Sequence, residues 1–488
     1  MGRLVVVSNR VAVPNRKVSD GAGGLAVAIQ SVLKRHPGIW FGWSGRVAVK
    51  SDVMVQTIKR GRQSYALTDL TKEDYDEYYN GFANRVLWPI FHYRQDLAEF
   101  SLRDLSGYTR VNEYFAGELH KILLPDDIIW IHDYHLLPLA KAVRDLGRRN
   151  KIGFFHHIPF PPPEILTALP NHEHLIPTMC HYDLVGFQTD RDAMNFAHYL
   201  KDECRMLSRD PSTFLAADRT VQIGIFPVGV ETTQLNRLAR RAQHSPFVRG
   251  VVESLAGRNM IIGVDRLDYS KGIALRMEAF DRFLSTHPEW RGKVTYLQIT
   301  PKSRSEIREY ADMERQIDET AGRINGMYGE ASWTPIRYVN RNHSRAALAG
   351  LYRSARAALV TPLRDGMNLV AKEYVACQDP ENPGVLVLSR FAGAAMECSA
   401  ALLVNPSDPE SVGSAIGQAL SMPLDERRSR NNALFQVLLG NDAESWGERF
   451  LNALIRPQKL PNWLGERREG ALGAEALKSI DPTAECHR

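Results

Sequence analysis

What most constrains this chain is a recurring pattern: short runs of consecutive apolar residues, each followed by a polar loop and then a helical stretch. Residues 4–8, 128–131, 152–156, 184–188, 221–226, 260–264, 294–299, 357–361, 384–388 and 401–404 read as strands. Many are apolar at successive positions, which suits strands buried on both faces of a parallel sheet. Between them the periodicity changes to that of helices. After Gly24, the residues Leu25, Ile29, Val32 and Leu33 fall on one face, and 408–422 is helical by pattern with an acidic start. Strand–helix alternation of this kind defines an α/β fold of doubly wound sheets joined by crossovers. In such sheets ligands bind beyond the carboxyl ends of the strands, so those loops are the ones to inspect.

At 488 residues the chain exceeds one ordinary core, and two domains of roughly 200 residues or more are expected. A Pro/Gly loop at 227–230 marks the seam. The expected domains are residues 1–231 and 232–464, with the last helix packing back on the first domain. A charged, small-residue tail follows at 465–488. A net charge of +5 is too mild for a nucleic-acid face, so the basic residues are expected to serve local phosphate sites. Five separated cysteines without a C-x-x-C pair fit a reducing compartment better than a disulfide framework or structural zinc. No stretch approaches the ~18 apolar residues of a membrane span. The expected location is cytoplasmic, with no membrane partner.

Several strand-end loops carry chemistry. Asn9-Arg10 precedes Asp20-Gly21-Ala22-Gly23-Gly24, a glycine-rich turn opening a helix, where bare amides can approach a phosphate. The same glycines would also serve an ordinary flexible turn. Arg266 and Lys271 follow the strand at 260–264; a planar fork and a point charge suit a diphosphate, or surface pairs with Asp265 and Asp268. Asp365-Gly366-Met367-Asn368 breaks a strand into a helix start with free amides. Asp365 could take sugar hydroxyls and Glu373 a ribose, or Asn368 could be a plain cap. His132, Asp133, His135, His156 and His157 crowd two strand ends. They lack the helical i, i+4 spacing of a zinc pair, so a hydroxyl-binding or acid/base role for Asp133 and one histidine is expected, with no metal. Tyr79 and Trp88 supply aromatics and Lys302/Arg304 a second cationic station.

The segments SNRVAVPN, GAGGLA, WFGWSG, DEYYNGFANRVLWPIFHYR, IIWIHDYHLLPLA, GFFHHIPFPPPEI, GFQT, RLDYSKG, PLRDGMNLVAKEYVA and NPGVLVLSRFAGAA together resemble the bacterial trehalose-6-phosphate synthases from about residue 3 to about residue 455. These are retaining glycosyltransferases of the two-Rossmann-domain GT-B type. The resemblance implies that a nucleotide-glucose, expected to be UDP-glucose, donates to glucose 6-phosphate. It places Arg10 and the Gly23-Gly24 turn where the two substrates' phosphates meet. Arg266 and Lys271 would hold the donor diphosphate and the backbone of His343 the base. Asp365, Leu369, Val370, Ala371, Lys372 and Glu373 would line the donor's sugar and ribose. Tyr79, Trp88, Asp133 and Arg304 would bind the acceptor, with Arg10 beside its phosphate, and His157 would contact the transferred glucose. The expected catalytic set is Arg266, Lys271, His157 and Asp133. The family usually has an aromatic residue at position 343, which leaves the donor base less determined than the sugar.

Negative charge grows on the departing diphosphate in such a transfer, so fixed cations and amides are the useful groups. A glycosidase-like carboxylate pair about 5–5.5 Å apart would be one route to retention. The resemblance implies another, same-face attack with the leaving phosphate taking the acceptor's proton, needing no metal and no cofactor. Self-association into a dimer or tetramer is expected. Two other readings stay open: a related synthase with another acceptor, such as a glucosylglycerol-phosphate synthase or a pseudo-glycosyltransferase, and a non-catalytic phosphosugar-binding regulatory subunit.

Overall fold

The first strand shows how the core is organised. Val5 and Val7 of Leu4–Arg10 enter one apolar cluster while Leu4 and Val6 enter another, so both faces are covered, as consecutive apolar residues require. In the second half of the chain, Met260 and Ile262 likewise face one cluster and Ile261 another. A computed structural model of the chain describes residues 2–13, 24–48, 55–216, 219–301 and 308–456. Among these residues the strands form two sheets, of ten and six strands. The expected strands are all present, with ends within two residues of those read from the sequence.

The smaller sheet runs Ile336–Val339, Val294–Ile299, Asn259–Val264, Ala357–Val360, Val385–Ser389, Leu402–Val404, all parallel. Numbered along the chain this is the order 3-2-1-4-5-6 of a dinucleotide-binding sheet. The parallel core of the larger sheet repeats that order. Gln63–Thr71, Gly38–Ala48 and Leu4–Arg10 lie on one side; Ile128–His132, Lys151–Phe155, Leu184–Phe187 and Arg219–Ile225 lie on the other. Antiparallel strands extend it at both edges: Gln56–Arg60 at one, Thr213–Ala216 and Ser208–Asp210 at the other. Each sheet therefore has one switch point, between Leu4–Arg10 and Ile128–His132 and between Asn259–Val264 and Ala357–Val360.

Six strands were not anticipated: Gly38–Ala48, Gln56–Arg60, Gln63–Thr71, Ser208–Asp210, Thr213–Ala216 and Ile336–Val339. Three of them, Gln56–Arg60, Ser208–Asp210 and Ile336–Val339, lie at sheet edges and are partly exposed, so they lack the continuous apolar signature of the central ones. The stretch Tyr75–Leu87, anticipated only as a source of aromatics, winds as a π-helix. It packs against the helix Leu102–Ile122 at two glycines, where a Cβ on Gly81 would lie 2.5 Å from Asp104 and one on Gly107 2.3 Å from Glu77.

The chain crosses between lobes twice, and the crossings touch. Thr232 Oγ1 donates to the Leu438 carbonyl at 3.2 Å, and a Cβ on Gly229 would lie 1.8 Å from the Asn441 carbonyl oxygen. The helix Ala443–Ile455 then returns to the first sheet. There Trp446 and Phe450 stack on Trp130 with centroids 4.9 and 4.7 Å away.

Candidate active site

The two switch points face each other across the cleft, and their loops hold the expected residues. Gly24 lies against the side chain of Leu369 from the other lobe; a Cβ there would sit 2.4 Å from Leu369 Cδ1. A Cβ on Gly366 would sit 2.0 Å from the His157 carbonyl oxygen. Glycine at 366 is therefore needed for backbone approach between lobes, and glycine at 24 leaves room for the Leu369 side chain, which a sequence motif alone does not disclose.

On the C-terminal wall, the loop after Asn259–Val264 carries Arg266 and Lys271. Arg266 is exposed and its guanidinium lies 6.0 Å from the Trp88 ring centroid, across the cleft. Lys271 is buried, and its Nζ donates to Asp365 Oδ2 at 2.5 Å. The ammonium and the carboxylate singled out in separate motifs thus form one pair. Asp265 is buried and accepts from Arg276 at 2.5 Å, while Asp268 accepts from the Ser270 amide at 3.0 Å.

Arg276 was missed from the sequence. It is 1% exposed and donates to Thr361 Oγ1 at 2.8 Å, to Gln298 Oε1 at 3.2 Å and to the Lys271 carbonyl at 3.1 Å. One guanidinium thus ties three strand ends to the loop that carries Lys271. The available signal was an arginine on the apolar face of the helix Ile273–Thr286, beside Ile273, Met277 and Phe280.

The helix Leu369–Cys377 begins at Asn368, which has φ 69° and makes no side-chain cap. Its first amides are left for another acceptor. Leu369 and Val370 are half-buried at this start, and Ala371 is wholly buried. Glu373 is pushed up to about 7 by burial, with Arg345 opposing the shift. Lys372 requires a correction. Its side chain is 0% exposed, and Nζ donates to the Val228 carbonyl at 2.8 Å and to Glu397 Oε2 at 2.5 Å. The ammonium is committed to the hinge, so only the backbone of this residue is available to a donor. His343 lies in the loop beyond Ile336–Val339, its ring 5.2 Å from that of Phe247.

On the N-terminal wall, Asp133 ends the strand Ile128–His132 at φ 76° and ψ 165°, a conformation that costs energy in a non-glycine residue and persists where the surroundings impose it. Its Oδ1 accepts from the His157 amide at 3.2 Å. His157 Nε2 lies 3.1 Å from His132 Nδ1. Burial depresses His132 and His156 to about 3 and His157 well below its ordinary value. Burial of this kind favours the neutral imidazole at pH 7. Tyr79 stacks on His135 with centroids 5.9 Å apart, and Trp88 is buried against Tyr134 at 5.6 Å. Arg10 is exposed, its guanidinium 6.0 Å from the Trp43 ring. Gly23 and Arg304 lie outside the described residues. Among the described residues no group of three or more His, Cys, Asp or Glu side chains is placed to hold a metal.

Two nucleotide-binding-type lobes with their switch points apposed, one wall carrying Arg266 and Lys271 and the other aromatic rings, histidines and Asp133, define a GT-B glycosyltransferase. The chain belongs to glycosyltransferase family 20, whose model matches residues 2–456. It is 52% identical over 456 residues to a trehalose-6-phosphate synthase of Sinorhizobium fredii, covering 93% of this chain and 98% of that one. Its structure is similar to a UDP-forming α,α-trehalose-phosphate synthase of Burkholderia xenovorans in complex with glucose-6-phosphate. That match has a TM-score of 0.90 at 45% identity, over 93% of this chain and 100% of the other. It is also similar to the E. coli structure bound with UDP-2-fluoro glucose, with a TM-score of 0.89 at 46% identity over 93% and 99%.

Proposed function

We infer that the chain transfers glucose from UDP-glucose to glucose 6-phosphate with retention of configuration, forming α,α-trehalose 6-phosphate and UDP. The observation that carries this reading is the juxtaposition of Arg266 with Trp88 across the cleft, 6.0 Å apart, with Lys271 on the same loop as Arg266 and Asp133 and His157 facing them.

In this reading the donor diphosphate lies on Arg266, Lys271 and the uncapped start of Leu369–Cys377. The ammonium of Lys271 leaves Asp365 for a phosphate oxygen, freeing the carboxylate to accept glucose hydroxyls. Glu373 accepts from the ribose, and the backbone near His343 meets the base. Glucose 6-phosphate lies against Tyr79, Trp88 and Asp133, with Arg10 and Arg304 at its phosphate. The bond from glucose C1 to the diphosphate breaks as the acceptor O1 bonds to C1 on the same face, and the acceptor proton passes to the leaving phosphate oxygen. The cations stabilise charge that is greatest in the transition state. They supply the charge that a metal would otherwise provide, and dialysis against a chelator is expected to leave turnover intact. Among the described residues four buried or half-buried free thiols support a cytoplasmic setting, where the chain would act as a homo-oligomer.

A panel of nucleotide-glucose donors against glucose 6-phosphate, glycerol 3-phosphate and no acceptor, with product identification, tests the reading. Trehalose 6-phosphate formed from UDP-glucose is the expected result. Preference for glycerol 3-phosphate would establish a related synthase, and no nucleotide release with any acceptor a non-catalytic subunit.

A further inference from the structure

Among the described residues three cation–aromatic contacts cross the cleft, and all three use residues 88–94. Arg266 meets Trp88 at 6.0 Å, Arg94 meets Tyr269 at 5.8 Å and Arg364 meets Tyr93 at 3.7 Å. The last is the shortest, and neither of its residues belongs to the donor or acceptor sets above. At 3.7 Å the guanidinium rests on the ring face, where cation–π attraction and planar stacking combine. On its own lobe Arg364 has the Phe391 ring 5.3 Å away, and it forms no ion pair among the described residues.

Both partners are held rigidly. Tyr93 has φ 63°, a strained conformation for an aromatic residue. Its hydroxyl donates to the Phe160 carbonyl at 3.4 Å and accepts from Asn195 Nδ2 at 3.3 Å. Behind Arg364, the Asp365 amide donates to the Phe391 carbonyl and the Gly393 amide to the Asp365 carbonyl, both at 3.1 Å. The Asp365 carboxylate in turn accepts from Lys271 and from Asn368 at 3.1 Å. Two residues beyond Arg364, Gly366 abuts the His157 carbonyl. Residues 364–366 are therefore docked on the N-terminal lobe by a side chain at one end and by bare backbone at the other.

We propose that Arg364 is a positioning residue: its stacking on Tyr93 clasps the closed lobes and sets Asp365, and through it Lys271, at the reacting glucose. This rests on the glucosyl transfer inferred above. An acceptor bound to the N-terminal wall does not require the clasp, whereas a donor gripped between lobes does.

The test compares wild type with Arg364→Met, Arg364→Lys, Tyr93→Leu and the Arg364→Met/Tyr93→Leu double variant. Readouts are kcat, donor KM, glucose 6-phosphate binding to the free enzyme, melting temperature, and the radius of gyration with and without UDP plus glucose 6-phosphate. Arg364→Met is expected to lower kcat about tenfold and to raise donor KM, with acceptor affinity changed less than twofold and melting temperature unchanged. Its ligand-induced compaction should be lost. Arg364→Lys, which keeps a cation over the ring, should recover part of the rate, and the double variant should be no worse than the poorer single. A kcat for Arg364→Met within twofold of wild type, or single losses that multiply in the double variant, overturns the proposal. Should Tyr93→Leu fail to fold, the two Arg364 variants decide alone. If wild type made no trehalose 6-phosphate, the function would be wrong, and compaction by ligands in wild type but not in Arg364→Met would still decide the clasp.

Discussion

The two walls of the cleft solve the same problem, holding polar groups in a buried place, in opposite ways. The C-terminal wall keeps its charges and pairs them: Lys271 with Asp365, Arg276 with Asp265, Lys372 with Glu397. The N-terminal wall neutralises its histidines. His92, His132, His156 and His157 are all depressed by burial, and aromatic rings surround them. A leaving diphosphate needs fixed positive charge that strengthens as the bond breaks. A sugar needs directional but uncharged contacts, with apolar ring faces against its C–H groups. On the function proposed above, the difference suits one wall to leaving-group chemistry and the other to acceptor orientation.

The contrast is most exposed to Lys271→Ala. Loss of this cation is expected to reduce kcat about a thousandfold and leave glucose 6-phosphate affinity nearly intact. Steady-state kinetics beside acceptor binding measure both; an equal fall in acceptor affinity would merge the roles of the walls. A smaller effect, about tenfold in turnover, is expected for Gly24→Ala, because the new methyl must displace Leu369 from the opposite lobe. Leu369→Ala in the same chain should restore part of the rate, and failure to do so would mean that the two walls are not packed at this point.

The smallest effect concerns Glu373, a carboxyl on the charged wall that forms no ion pair among the described residues. Its folded value of about 7 stands above the ordinary 4.5, so the folded chain binds more protons than the unfolded one between these values. Stability therefore falls as pH rises from about 4.5 to about 7 and is level beyond. Glu373→Gln should remove that slope and stabilise the chain at pH 8 by on the order of 1–3 kcal/mol, read from denaturant melts at pH 5 and pH 8. Identical slopes in the two proteins would place the titration elsewhere.

Much of this was legible in the chain itself. The central strands could be read because burial on both faces requires apolar residues in succession, as in Val294–Ile299, where the ends agree with the sequence reading. Edge strands such as Gln56–Arg60, exposed over most of its length, carry no such mark. The π-helix Tyr75–Leu87 was equally hidden, since its close packing at Gly81 and Gly107 involves a second helix. Arg266, Lys271 and Asp365 were visible as charged residues at strand ends, but their partners were not. Lys372 followed in the same motif and belongs instead to the hinge.

The order of residues by itself determined where the central strands and the helices between them form, that two doubly wound sheets result, and which loops bear charge. Those properties follow from local periodicity and from burial, both of which are written along a single segment. Tertiary structure alone decided that Lys271 meets Asp365 94 residues away, that Lys372 meets Val228 144 residues away, and that Gly24 must admit Leu369. Pairing between distant charges depends on how the lobes dock and how much water the contact excludes, and neither quantity is encoded in any one stretch of chain.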